Sequence, residues 1–135
     1  MRSRVILSAI VLLAVEAPST SFAQAGLKGD VVKGSALFKS RCAVCHSVDA
    51  AKPKATAPTL AGVVDRKAGS LPKARYSSGM KAAATVVWTP SNLDKYLTSP
   101  RDVIKGTYMV IKLTKPQDRA DVIAYLGTLR GKPEK

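Results

Sequence analysis

The sequence predicts an all-α domain: capping residues and prolines bracket apolar stripes at helical spacing, strand-type alternation is scarce, and the intervening segments are punctuated by Gly and Pro. Asp30 caps a helix running to about Arg41, with Val31, Gly34, Leu37, Phe38 and Cys42 on one stripe at intervals of three and four. Gly34 inside that stripe lets another backbone come close. Residues 47 to 75 lack sustained periodicity and carry Pro53, Pro58, Gly62, Gly69 and Pro72, so they read as loop. Ser77 or Ser78 starts a short helix ending near Ala84. Thr89 followed by Pro90 supplies a cap and a proline at the first helical position, and Leu93, Tyr96 and Leu97 line one face until Pro100 stops the helix. Thr114 and Gln117 fit a capping box for the last helix, whose Val122, Ile123, Leu126 and Leu129 keep helical spacing up to Gly131.

The chemistry concentrates in Cys42-Ala43-Val44-Cys45-His46, which contains both cysteines and the one histidine of the chain. This is the C-x-x-C-H pattern for covalent attachment of a c-type haem. Two thiols at this spacing each add to one vinyl group of a single porphyrin, and the next residue presents an imidazole to the iron. A neutral ring nitrogen is a strong iron ligand, while the other nitrogen is fixed by a backbone acceptor. A thioredoxin-like redox pair calls for a βαβ context that does not precede Cys42, and a structural zinc site needs four ligands where this chain offers three. Aromatic residues are 5% of the chain, so a bound macrocycle around which the helices wrap fills much of the core.

The N-terminus has the features of a secretory signal peptide: Arg2 and Arg4, an apolar run from Val5 to Val15, and the small-x-small pattern Ser21-Phe22-Ala23. Cleavage near Ala23 leaves residues 24–135 as a single domain, and no later apolar run is long enough to span a bilayer. Lys and Arg number 22 against 9 acids, a formal charge of +13. Such a surface suits nucleic acid, an anionic membrane or an acidic protein, and export disfavours nucleic acid. The lysines are spread along the chain, so a solvated surface accounts for many of them, Lys52 and Lys54 included.

In order and nearly without gaps, the segments GDVVKG with Phe38, CAVCH, Pro58-Thr59-Leu60-Ala61-Gly62, DRKAGS, Tyr76, Trp88, NLDKYL, Pro100, KGTYM and RADVIAYL resemble the class I cytochromes c of the mitochondrial and short bacterial soluble type, over about residues 29 to 130. The resemblance implies that fold, with one covalent haem c. It also implies that His46 is the proximal iron ligand and Met109 the distal one, a pair that raises the haem's potential. Pro58 then accepts the second His46 ring proton, Tyr76 and Trp88 hydrogen-bond a propionate with Arg66 near the same group, and Tyr96 and Thr107 hold the Met109 loop. Gly34 and Phe38 are expected against Tyr125 and Leu126, where the first and last helices cross. Of the other methionines, Met1 leaves with the signal and Met80 reads as structural. This chain departs from the family at Ala57, usually glycine, at Thr59, usually asparagine, and at Lys105, usually a proline before the Gly-Thr of the methionine loop. The aromatic common two residues beyond the methionine is Ile111.

A six-coordinate iron leaves no position for substrate, so the resemblance implies an exported, periplasmic one-electron carrier rather than an enzyme. Its expected partners are acidic redox proteins (an oxidase, reductase or dehydrogenase) met by transient electrostatic docking. There is no stable membrane insertion, and monomer is the family default. Lys39, Arg41, Lys54, Arg101, Lys105 and Lys112 are the candidate docking charges. The alternative is a haem protein with a labile sixth ligand, reactive toward gases or peroxide.

Overall fold

The computed structural model describes residues 27–129. The signal-peptide reading of residues 1–23 lies outside the described residues. Among those described, five α-helices occur: α1 (Val31–Leu37), α2 (Ser78–Ala82), α3 (Pro90–Thr98), α4 (Pro100–Val103) and α5 (Pro116–Thr128). No strand longer than an isolated antiparallel pair, Lys67 with Val87, is found among them. The amide of Ala68 donates to Val86 O at 2.8 Å and that of Trp88 to Arg66 O at 2.9 Å, which ties the long middle segment to the start of α3.

Asp30 caps α1 as expected, its carboxylate accepting the amides of Val32 and Lys33. The helix does not run on regularly to Arg41. It widens into a π-helical turn at Phe38–Cys42, closed by Ala43 N–H to Phe38 O at 2.9 Å. Such wide turns concentrate at functional sites, and this one rotates Cys42 into the core while the chain turns away toward Cys45 and His46. Ser77 caps α2 through the Met80 amide, and Thr89 caps α3 through that of Asn92 with Pro90 at the first position. α2 ends at Ala82, two residues before the expected point, within ordinary helix-end variation.

Two terminal signals act differently from their sequence reading. The extended backbone of Ser99 breaks α3, and Pro100 starts α4 instead of stopping a helix, since proline is tolerated at a first turn where its missing N–H is not needed. The Thr114–Gln117 capping box does not form: Lys115 is the cap residue, without a side-chain bond, and Pro116 takes the first position. Gln117 instead donates to Lys28 O and to Asp121 Oδ1. The expected end of this helix at Gly131 lies outside the described residues, and α5 closes at Thr128.

α1 packs along α5 in the most extensive helix–helix contact of the fold. A Cβ on Gly34 would strike the backbone of Asp121, so glycine is what lets the two backbones meet. Phe38 stacks at a tilt on Tyr125, ring centroids 5.6 Å apart, and Val122 and Leu126 are buried beside them. The buried Asp121 carboxylate accepts the Asp30 amide at 2.8 Å, clamping the start of α1 to α5. Arg119 is buried as well, donating to Asp94 Oδ1 at 2.7 Å and to the carbonyls of Leu113 and Thr114, which fastens α5 to α3 and to the chain entering it.

The Asp30 amide first, and then the Gln117 side chain, hold the Asp121 carboxyl below the usual carboxylate range. A depressed carboxyl contributes stability that is present above its unfolded pKa and is lost as pH falls through its folded value. Asp121→Asn is therefore expected to destabilise the protein most near neutrality, with the gap to wild type closing at acid pH. Denaturant unfolding across a pH series checks this, and a gap that does not depend on pH contradicts it.

Candidate functional site

The helices and the middle loop enclose an open cavity of about 280 Å³. That is about twice the size of an engineered apolar cavity that takes benzene, so it is built for more than a few waters. Its walls are mostly apolar, with Phe38, Val63, Leu93, Leu97, Val122 and Leu126 among them. Cys42, Cys45 and His46 line it from the end of the π turn, Met109 from the loop between α4 and α5. Arg66, Tyr76, Trp88, Tyr96, Thr107 and Pro58 line it too.

The attachment segment is held by its own backbone. The Cys45 and His46 amides both donate to Cys42 O, and Thr56 Oγ1 donates to Cys45 O at 2.8 Å. Lys54 Nζ donates to Ala43 O. The two cysteines are not joined to each other; Cys42 is buried and Cys45 exposed. Burial pushes the Cys42 thiol up from its ordinary value.

His46 Nδ1 lies 2.7 Å from Pro58 O, and a carbonyl only accepts, so Nδ1 carries the proton and Nε2 keeps its lone pair. Burial, with a smaller contribution from Lys54, holds His46 below its usual pKa against the opposing effect of that hydrogen bond, so the ring is neutral. A neutral imidazole with one nitrogen tied to the backbone is the form that ligates a metal.

On the opposite loop, Tyr96 OH and Thr107 Oγ1 are 2.6 Å apart in the core, and Thr107 Oγ1 accepts the Met109 amide at 3.3 Å. Burial raises the Tyr96 pKa, the Thr107 bond acting against it, so the phenol stays neutral. Trp88 packs on Tyr96 with ring centroids 4.8 Å apart. Arg66 donates to Ala61 O at 2.7 Å and to Thr59 O at 2.9 Å. Tyr76 OH accepts the Leu71 amide at 3.4 Å.

The donor set fits a haem. An apolar chamber takes the macrocycle, two thiols stand beside a ligand-ready imidazole, and a thioether enters from elsewhere in the chain. Arg66 adds a half-buried cation whose hydrogen-bond partners are neutral carbonyls, and the one ion pair among the described residues joins Arg119 to Asp94. Such a guanidinium suits the carboxylates of propionate side chains.

The Cytochrome c family model matches residues 31–130. The chain belongs to the cytochrome c family. Cytochrome c2 of Rhodomicrobium vannielii is 43% identical over 126 residues, 93% of this chain and 99% of that protein. Cytochrome c of Sesamum indicum is 43% identical over 99 residues, 73% of this chain and 88% of that protein. Among solved structures, cytochrome cH from Methylobacterium extorquens superposes with a TM-score of 0.67 at 33% identity, covering 74% of this chain and 99% of its own. The fold is therefore the all-α class I cytochrome c fold. Cytochromes c carry one covalently bound haem c, and they are electron carriers rather than enzymes.

Several cavity residues escape sequence reasoning. Met80 reads as structural, yet it is half-buried on the cavity wall, and Arg75 and Ser77 beside it also line the chamber. A five-residue polar helix gives little amphipathic signal to mark an inward face. Val44, Tyr108 and Val110 line the mouth while being 74%, 77% and 62% exposed. Large apolar side chains left in solvent beside a cavity are visible only once the fold is known.

Proposed function

We propose that this cytochrome c is an exported, periplasmic one-electron carrier. Cys42 and Cys45 would hold its single haem c through thioethers, and His46 and Met109 would ligate the iron. The observation that carries this reading is the convergence of these four residues on one cavity, although Met109 arrives on a separate loop. When bound, the haem would supply a one-electron iron couple, and His46 and Met109 would hold its iron so that neither is displaced by a substrate.

The chain's own residues do the rest. Pro58 O orients the imidazole, and the Tyr96–Thr107 pair holds the backbone of Met109. Arg66 gives charge, and Tyr76 and Trp88 give hydrogen-bond donors, to the propionates. The apolar wall keeps water from the iron, and a fixed ligand set lets an electron arrive and leave with little rearrangement.

The mouth of the cavity is suited to transient docking. Exposed Val44, Tyr108 and Val110 form an apolar rim. Arg41 lines the cavity, Lys54 reaches the Ala43 carbonyl beside Val44, and Arg101 and Lys112 flank Met109 and Val110 in an adjoining cleft. With exposed Lys39 and Lys105 these cations steer an acidic face of an oxidase, reductase or dehydrogenase, which speeds encounter more than it strengthens binding. No described helix is long and apolar enough to cross a membrane. Residues 1–23 serve as the export signal in this reading, and residues 24–135 act as a monomeric single domain.

In the holoprotein the haem is expected to stay with the polypeptide through denaturing electrophoresis. The rate of electron exchange with an acidic redox protein should fall as the Debye length contracts from about 30 Å at 0.01 M salt to about 8 Å at 0.15 M. Haem lost on denaturation contradicts the thioethers, and a rate indifferent to salt contradicts electrostatic docking.

A further inference from the structure

The loop that carries Met109 is held at Thr107 by Tyr96, while the residues that lead into it stand in solvent. Lys105 and Gly106 are exposed, and Gly106 has φ +73° with open space around it. What the structure provides there is a backbone seat. A Cβ placed on Gly79 would fall on the Lys105 carbonyl oxygen, with the Gly106 carbonyl carbon 3.5 Å from it. Gly79 belongs to α2, the short helix capped by Ser77, whose next residue Met80 shares the cavity wall with Met109. α2 therefore meets the methionine loop backbone to backbone, at the point where the loop leaves Ile104.

We propose that Gly79 is a positioning residue for Met109: by seating the Lys105 carbonyl it fixes how far the loop brings the thioether into the cavity. This rests on the reading of Met109 as an iron ligand. Because both partners are main chain, no flexible side chain absorbs an added methyl group, and the loop has to move outward.

The test uses ferric holoprotein, with imidazole as the external ligand. Gly79→Ala should retain covalent haem but weaken the far-red band of sulfur-ligated ferric haem. It should also tighten imidazole binding by about tenfold or more, equivalent to about 1.4 kcal/mol. In a Met109→Ala background the same substitution should add nothing further, since no ligand remains to be positioned. Imidazole affinity and far-red band both as in wild type, with only the melting temperature lowered, would reduce Gly79 to a packing residue and overturn the proposal. So would an undiminished Gly79→Ala effect in the Met109→Ala background. If Met109→Ala itself leaves band and affinity unchanged, the ligand reading fails, whatever Gly79 does. Should Gly79→Ala not fold, Ser77→Ala decides, because losing the cap loosens α2 without a clash. Tighter imidazole binding by about threefold supports the seat, and unchanged binding overturns it.

Discussion

Met109→Ala is expected to leave the haem covalently attached while opening the iron, so that imidazole binds about 100-fold more tightly, equivalent to about 3 kcal/mol. The site has two separable tasks, holding the haem and ligating its iron. In the proposed reading attachment belongs to Cys42, the last residue of the π turn, and to Cys45, and neither shares a hydrogen bond with the loop of Met109. The Met109 thioether is carried by that loop, whose hold on the Met109 amide comes through Thr107 and, behind it, Tyr96. An external ligand entering wild type has to displace the thioether, and one entering the variant displaces at most water. The reduction potential should fall in the variant, because a His/Met pair raises it. Titration of the ferric protein with imidazole, followed by redox titration, reads both effects. Unchanged affinity and potential would remove Met109 from the iron and leave the labile-ligand reading in its place.

Gly34→Ala is expected to cost the fold about 3 kcal/mol or more. The added methyl group would land on the Asp121 carbonyl, and Tyr125 Cβ would lie 2.9 Å from it. Neither neighbour swings aside easily, so α1 and α5 have to separate. Separation loosens the Phe38–Tyr125 stack and the bond from the Asp30 amide to Asp121. Gly127→Ala is the matched control: it lies in the same α5, its Cβ meets open space, and helix propensity makes it neutral to stabilising by up to about 1 kcal/mol. Denaturant unfolding of the holoproteins compares the two. Equal stability of both variants with wild type would contradict the close crossing.

The parts of this fold that were legible in the sequence are those set by local chemistry. Asp30 and Thr89 cap the helices they were expected to cap, and of the two candidates Ser77 and Ser78 it is Ser77 that caps α2, since a side chain that satisfies its own helix's amides needs no distant partner. The CAVCH segment stood out because it gathers both cysteines and the one histidine, and the structure places all three on one cavity wall. What was hidden depends on contacts between distant segments. The Thr114–Gln117 box is a sound local signal, but Gln117 finds Lys28 O and Asp121 instead, and a tertiary pair replaces the cap. Pro100 is chemically able either to end a helix or to begin one, and the extended Ser99 before it decides for the second. The π turn at Phe38–Cys42 has no periodicity that a stripe of three and four can reveal. Gly79 likewise carries no mark in sequence of the carbonyl it will meet.

The central claim is that His46 and Met109 close the iron from both sides. The most direct measurement is the absorption spectrum, oxidised and reduced, of holoprotein made with a haem-attachment system in an exported compartment. The account expects the weak far-red band of a sulfur-ligated ferric haem, vanishing on reduction and absent from Met109→Ala. Attached haem that lacks this band in the oxidised wild-type protein would contradict it.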